Sequence, residues 1–214
     1  MTTPNLKRPR GRPKDISKQA ALLDAARRLL LSKGPEVSVD EIASVAGVSK
    51  STIYANFQGK DDLVEAVIRR EADRTITQGE FDALLQTEVT ADTLVEFGRR
   101  YVGFINSHDL IGWDRVIASL DCEGPELPGK FFDLGPGRGQ RFLERLLDKA
   151  IVDGLIHTDS TTRAADQLTG LWLGFSNLEV KLGIRPPLTV KQVDAQVATG
   201  VAVFLRYYGA KPKA

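Results

Sequence analysis

The sequence predicts an all-α fold, and three observations support this. Apolar residues recur at intervals of three and four along nearly every patterned segment, the spacing that places side chains on one face of a helix. Capping residues or glycine and proline pairs stand at the ends of many of these segments. No stretch alternates convincingly between apolar and polar residues over the length of a strand.

The predicted elements follow from these signals in order. A first helix of about seventeen residues starts at Ile16 and ends at Gly34-Pro35. Ser38 and Glu41 form a capping box for the second helix, and Ser49 caps a third helix that runs to about Phe57. The remaining helices are predicted near residues 60–78, 91–107, 110–120, 125–133, 137–153, 161–182 and 190–208.

Composition excludes several classes of protein. The chain has 214 residues, 42% of them hydrophobic and 27% charged, as in an ordinary soluble protein. No segment resembles a membrane span or a signal peptide, so a cytoplasmic protein without a membrane partner is expected. The single cysteine, Cys122, excludes an internal disulfide. With only His108 and His157 available, neither a zinc site nor another cofactor is expected.

The net charge of +1 conceals an asymmetry between the two ends of the chain. Residues 1–60 carry eleven Lys and Arg against five Asp and Glu, a balance of +6, whereas residues 61–214 have a balance of −5. A basic N-terminal part predicts contact with a polyanion.

The second and third helices carry the motif that predicts function, VDEIASVAGVSKSTIYANF. Ala43 is small where the helices would cross, Gly47 suits a left-handed turn, and Ile53 fills the space between the helices. This pattern is typical of a helix-turn-helix, whose second helix enters the major groove of DNA. A helical hairpin without DNA contact is the alternative, and the positive charge of the region disfavours it.

Residues 37–63, VSVDEIASVAGVSKSTIYANFQGKDDL, resemble the signature of TetR-family transcriptional regulators. The resemblance implies a three-helix DNA-binding domain, a long linking helix and a helical C-terminal domain for dimerisation and a ligand. Ser51 stands where the family usually has Gly, and Asn56 where Tyr or His is usual, so operator preference does not carry over. The predicted DNA-binding residues of this domain are Ser38, Ser49, Lys50, Ser51, Thr52, Tyr54, Asn56 and Lys60.

The domain boundaries predicted are 1–15 for a basic arm, 16–60 for the DNA-binding domain and 61–210 for the C-terminal domain. Residues 125–156 also resemble the AefR-like group of TetR C-terminal domains. The family resemblance implies a homodimer on a near-palindromic operator, most often a repressor that a small molecule releases from double-stranded DNA.

The arm contains KRPRGRPK, with five cations in eight residues. Arg10-Gly11-Arg12-Pro13 resembles the core of an AT-hook. Gly11 permits close approach to the floor of the minor groove, and Arg10 and Arg12 would point into it. A disordered basic tail that adds only non-specific attraction is the alternative.

Apolar patterns in the C-terminal domain predict a dimer interface and a cavity for a mostly apolar ligand. Two helices have more apolar width than one buried face requires, and Gly170 and Gly174 predict close approach of another helix. An internal bundle and a purely structural aromatic core are the alternatives. The dimer candidates are Phe142, Leu146, Leu147, Gly170, Gly174 and Leu178, and the candidate ligand-lining residues are Phe104, His108, Trp113, Cys122, Phe131, Phe132, Trp172 and Phe175.

Two other functions fit the sequence less well. An enzyme is not expected, because no third residue is placed to orient Cys122 with His108 or His157. The GPGRG stretch at 135–139 lacks the Lys and Ser or Thr of a phosphate loop and reads as a break before a helix. A ligand-independent architectural DNA-binding protein is the main alternative, but the large acidic C-terminal domain disfavours it.

Overall fold

The computed structural model describes residues 16–34, 36–74, 76–106, 129 and 132–210. These residues form nine α-helices: α1 (Ile16–Lys33), α2 (Val39–Ala46), α3 (Lys50–Asn56), α4 (Lys60–Asp73), α5 (Gln78–Leu85), α6 (Ala91–Ile105), α7 (Pro136–Val152), α8 (Thr161–Lys181) and α9 (Val190–Tyr208). The all-α prediction is therefore confirmed. Candidate residues Arg10, Arg12, His108, Trp113, Cys122 and Phe131 lie outside the described residues, as do the predicted helix at 110–120 and most of that at 125–133.

The N-terminal core is formed by α1 packing against α2 and α4. The buried stripe of α1 comprises Leu22, Ala25, Ala26, Leu29 and Leu30. Ile42 and Ala43 of α2, Ile53 of α3 and four apolar residues of α4 complete the cluster. Burial of this stripe is the main reason that α1 is stable, since its residues show only weak amphipathicity over the full length.

The long helix predicted from Lys60 to Gln78 is interrupted. Helix α4 ends at Asp73, and a separate helix begins at Gln78. Thr77 caps α5, because its side chain accepts the Glu80 N–H while the Glu80 carboxylate accepts the Thr77 N–H. Helical periodicity continues through this break, so the apolar pattern alone concealed a new N-terminus.

The larger core lies among α5 to α9. Its main packing pairs are α6 with α9, α8 with α9, and α7 with α8. Phe142, Leu146 and Leu147 of α7 are buried in this core. Their prediction as dimer contacts was wrong, because both apolar edges of α7 are covered within the same chain, by α5 and by α8.

Trp172 occupies the centre of this core with 0% of its surface exposed. A Cβ atom at Gly98 of α6 would lie 2.8 Å from Trp172 Cζ2, and one at Gly200 of α9 would lie 2.8 Å from Trp172 Cδ1. Both distances are shorter than any ordinary contact between carbon atoms. Glycine at these two positions therefore lets α6 and α9 close on the two edges of the indole.

Helix α8 is kinked at Gly174, whose φ of 56° is left-handed. Gln196 Nε2 lies within hydrogen-bonding distance of the Trp172 and Leu173 carbonyl oxygens next to the kink. The glycine at 174 is required by this backbone conformation, since an L-residue with a side chain would be strained there. Close packing of another helix, the predicted reason, is not what the chain shows at this position.

Within the described residues, none of the helices is both long and apolar enough to cross a membrane.

Candidate DNA interface and effector domain

The N-terminus of α2 is fixed by the predicted capping box. The Ser38 hydroxyl accepts the Glu41 N–H at 3.2 Å, and the Glu41 carboxylate accepts the Ser38 N–H at 3.0 Å. The backbone N–H of Ser38, and then Lys33, lower the pKa of Glu41 to about 2. Glu41 therefore stays ionised and engaged with its own helix.

The turn between α2 and α3 has the expected geometry. Gly47 has a φ of 66°, and the Val48 N–H donates to the Ala43 carbonyl at 3.0 Å. Ile53 is fully buried beneath the turn. These contacts fix the angle between the two helices and leave the opposite face of α3 exposed.

Hydroxyl groups cluster at the start of α3. The Ser49 Oγ lies 2.8 Å from Ser51 Oγ and 2.8 Å from Thr52 Oγ1, and it accepts the Thr52 N–H. Ser49 and Ser51 are exposed and Thr52 is partly exposed. Hydroxyls in this position can donate hydrogen bonds to phosphate oxygens of a DNA backbone.

Two cationic or aromatic side chains extend from the same exposed face. Lys50 Nζ lies 2.9 Å from the Asp40 carboxylate on α2, and this hydrogen bond raises the pKa of Lys50. Tyr54 is exposed, with its hydroxyl available to a backbone phosphate. Asp40 is a residue that sequence reasoning missed, because the pairing depends on how α2 crosses α3.

Asn56 and Lys60 occupy the far end of this surface. The Asn56 amide nitrogen donates to the Thr52 carbonyl at 2.8 Å, so its donor group is engaged with its own helix. A base contact through that donor would require this hydrogen bond to break. Lys60 begins α4 and is partly exposed beside the end of α3.

The C-terminal domain contains a narrow cavity beside Trp172 and the α8 kink. Its lining comprises Val102, Ile105, Asn106, Trp172, Leu173, Ser176, Asn177, Val180, Leu188 and Gln196. The described residues leave room for about one water molecule there. The Trp172 Nε1–H has no hydrogen-bond partner among the described residues.

The other described aromatic candidates lie elsewhere. Phe175 is 76% exposed, so its assignment to the ligand cavity was wrong; it lies just beyond the kink that turns α8. Phe104 is partly exposed on α6, and Phe132 is exposed beside α7.

A second, open groove was not predicted. Its lining comprises Tyr101, Phe132, Pro136, Gln140, Glu144, Ser160, Thr162, Arg163 and Asp166. Burial raises the pKa of Tyr101 to about 12, so its hydroxyl remains protonated. Helices α6, α7 and α8 contribute the groove together, and no local pattern in the sequence marks it.

Two family profiles match this chain. Residues 22–67 match the bacterial regulatory proteins of the TetR family, and residues 92–210, more than half of the chain, match the AefR-like transcriptional repressor C-terminal domain. The chain belongs to the TetR family. Both resemblances noted in the sequence are confirmed, and the family consists of transcriptional regulators rather than enzymes.

Several relatives of this TetR-family chain are characterised or named regulators. The repressor ComR of Escherichia coli is 29% identical over 109 residues, which are 50% of this chain and 51% of ComR. The regulator EthR of Mycolicibacterium smegmatis is 40% identical over 33% of this chain and 37% of EthR. The activator FasR of the same organism is 34% identical over 51% of this chain and 48% of FasR. The chain thus spans about half the length, or less, of these relatives.

Solved structures of TetR-family regulators match over nearly the whole chain. A regulator from Mesorhizobium loti superposes with a TM-score of 0.78 at 24% identity, covering 94% of this chain and 100% of that one. The flavonoid-responsive regulator FrrA superposes with a TM-score of 0.71 at 28% identity, covering 92% and 98%. The TetR-family architecture therefore extends through both cores.

Proposed function

We propose that this protein is a homodimeric transcriptional repressor that a small, mostly apolar ligand releases from a near-palindromic operator. The observation that carries the DNA-binding part is the exposed face of α3, where Ser49, Ser51, Thr52 and Tyr54 present hydroxyls and Lys50 presents an ammonium group. The protein would act in the bacterial cytoplasm, on the nucleoid.

Within the DNA complex, two kinds of contact are proposed. Ser38, Ser49, Thr52, Tyr54 and Lys60 hold backbone phosphates, which fix the position of the protein without reading sequence. Lys50, Ser51 and Asn56 face the bases in the major groove. One α3 helix would enter each half-site, with the two helices about 34–36 Å apart or a multiple of that distance.

Selection of bound fragments from random or genomic DNA tests this assignment. Lys60→Ala should weaken binding to all sequences alike and lower the salt slope by about 0.9. Lys50→Ala should change the preferred bases by about 1–3 kcal/mol. Lys33→Ala is the matched control, because Lys33 is also exposed and ion-paired at 2.9 Å, yet lies on α1. Base preferences unchanged by both Lys50→Ala and Asn56→Ala would contradict the assignment of α3.

The proposed dimer interface is the exposed apolar surface of α8 and α9. The two helices pack side by side, and they expose Leu171, Phe175, Leu178, Val203 and Tyr207. No described residue lies within 4 Å of the Cβ position at Gly170, so a partner helix has room to approach there. Of the predicted dimer contacts, Gly170 and Leu178 remain in this proposal.

Sedimentation of charge variants tests the interface. Phe175→Glu and Tyr207→Glu should produce monomers, because a carboxylate would be buried without a partner. Val152→Glu is the control, since Val152 is 82% exposed at the end of α7, apart from this surface. Dimers that persist in both interface variants would place the interface elsewhere.

The proposed ligand site lies beside Trp172. The cavity there is lined mainly by apolar groups, and the buried Nε1–H offers one donor to a ligand acceptor. The similar regulator FrrA is named as flavonoid-responsive, which supports a small organic effector. Phe104, His108, Trp113 and Phe131 stay in the proposal as further contacts.

A metabolite screen followed by tryptophan fluorescence tests the ligand. A compound that changes the emission of the protein and also releases operator DNA supports the proposed function. DNA affinity that no ligand-induced emission change accompanies or follows would favour the architectural alternative.

The N-terminal arm is proposed to lie in the minor groove beside each half-site. The double variant Arg10→Ala/Arg12→Ala should lose more affinity on operators with A·T flanks than on those with G·C flanks, because narrow grooves concentrate negative potential. Equal losses on both flanks would reduce the arm to a basic tail.

A further inference from the structure

The first turn of α7 packs unusually closely against the rest of the C-terminal domain. A Cβ atom at Gly137 would lie 2.7 Å from Phe132 Cε1, and one at Gly139 would lie 2.7 Å from Tyr101 Cε2. The two glycines therefore bring the α7 backbone directly onto two aromatic rings. The GPGRG stretch is more than the helix break that its composition suggests.

Arg138 lies between these two glycines and reaches the DNA-binding domain. Its Nη1 lies 2.5 Å from Asp73 Oδ1, at the last residue of α4, and only 20% of the Arg138 side chain is exposed. Leu134, just before this turn, packs against the N-terminal core. An ion pair from a shielded arginine is worth more than an exposed one, because less water competes for the carboxylate.

The same end of α4 is also bound to α1. Arg70 lies 2.8 Å from Asp24, and the buried Glu71 lies 2.9 Å from Arg27. Asp73 thus belongs to a segment that the DNA-binding domain holds on one side and α7 holds on the other. Any shift of α7 at Arg138 must move α4, or break the ion pair.

Arg138 also begins a chain of ring contacts that leads to Trp172. Its guanidinium carbon lies 5.2 Å from the centre of the Phe142 ring, which stacks on Phe81 at 4.1 Å. Phe81 meets Phe97 at 6.5 Å, and Phe97 meets Trp172 at 6.3 Å. Packed rings of this kind transmit a displacement, because the core has no free volume to absorb it.

We propose that Arg138 is a positioning residue for DNA binding. Its ion pair with Asp73 sets the angle of α4 against the C-terminal domain, and through α4 the separation of the two recognition helices in the dimer. The ring contacts give the region around Trp172 access to the same adjustment. This inference rests on the proposed function, since it requires a dimer that reads two half-sites.

Operator spacing provides the test. The full-length wild-type protein first selects its operator, and affinities are then measured for that operator and for versions with the half-sites moved by one base pair. Arg138→Gln and Asp73→Asn should each reduce the preference for the selected spacing by about fivefold, the lower end of typical coupling between sites. Base preferences within a half-site should not change.

Arg145→Gln is the matched control. Arg145 lies on the same helix, lies 3.6 Å from Asp82 and 5.0 Å from the centre of the Phe81 ring, but its ion pair stays within the C-terminal domain. This variant should keep the spacing preference. The charge-exchanged variant Asp73→Arg/Arg138→Asp should regain part of the preference, and Arg138→Lys should retain more of it than Arg138→Gln.

The outcomes separate this inference from the function beneath it. Wild-type protein that binds a two-fold operator, together with variants that keep its full spacing preference, would overturn the role of Arg138 alone. An equal loss in Arg145→Gln would also overturn it, because the effect would then be general destabilisation. Wild-type protein without any preference for spacing would contradict the proposed function itself.

Discussion

The two cores of this protein are specified in different ways. In the DNA-binding domain, the contacts that shape the helix-turn-helix join residues three to five positions apart, such as Ser38 with Glu41 and Ala43 with Val48. In the C-terminal domain, the decisive contacts join distant helices, as when Gly98 and Gly200 enclose Trp172. The first domain can be read from short motifs, and the second depends on how its helices cross.

The largest expected effect follows from the buried indole. Trp172→Ala should lower the free energy of unfolding by about 3–5 kcal/mol, because it removes a fully buried ring and leaves a cavity. Trp172→Phe should cost less, since it keeps most of the contacts. Chemical denaturation measures both. A loss below 1 kcal/mol for the alanine variant would contradict the central place of Trp172 in the core.

Adding a methyl group at Gly98 tests the non-local contact from the other side. Gly98→Ala should destabilise the protein by about 1–3 kcal/mol, because the new Cβ would lie 2.7 Å from Val197 Cγ1 as well as against the indole.

Gly103→Ala on the same helix is the control for Gly98. No described residue lies within 4 Å of its Cβ position, so the better helix propensity of alanine should stabilise the protein by up to about 1 kcal/mol. Thermal unfolding of the two variants should therefore shift in opposite directions. Shifts of the same sign would remove the contrast.

Local contacts should have smaller effects. Ser38→Ala and Ser49→Ala should each cost about 1 kcal/mol, because each removes the side-chain acceptor that satisfies a helix N–H. Ser51→Ala should cost less, since Ser51 caps no helix. Denaturant midpoints at neutral pH measure the three variants, and equal losses would show that the caps have no special role.

The smallest effect should appear only as a dependence on pH. Since the folded pKa of Glu41 is about 2, below its ordinary value of 4.5, its ionised form stabilises the fold. That contribution is fully present above about pH 4.5 and is lost as the pH falls towards 2. The stability difference between wild type and Glu41→Gln should therefore shrink over this range in acid denaturation. A constant difference would mean that charge is not the source.

These contrasts explain which predictions from the sequence held. The capping box at Ser38, the cap at Ser49, the left-handed turn at Gly47 and the membership of the TetR family were all predicted. Each depends on residue types a few positions apart. Hydrogen bonds across one helical turn need no other part of the chain to be in place.

Other features depended on the tertiary structure. The break between Asp73 and Gln78, the burial of Phe142, Leu146 and Leu147, and the exposure of Phe175 all differ from what periodicity predicted. Periodicity identifies an apolar face, but it does not say whether that face meets the same chain or another surface.

The ion pair between Arg138 and Asp73 shows the same limit most clearly. Its partners stand 65 residues apart, in stretches that the sequence presents as a helix break and a continuous helix. Charge and glycine content made each stretch visible by itself. Only the packing of α7 against α4 and α6 brings them together, because a contact between distant segments depends on every crossing angle between them.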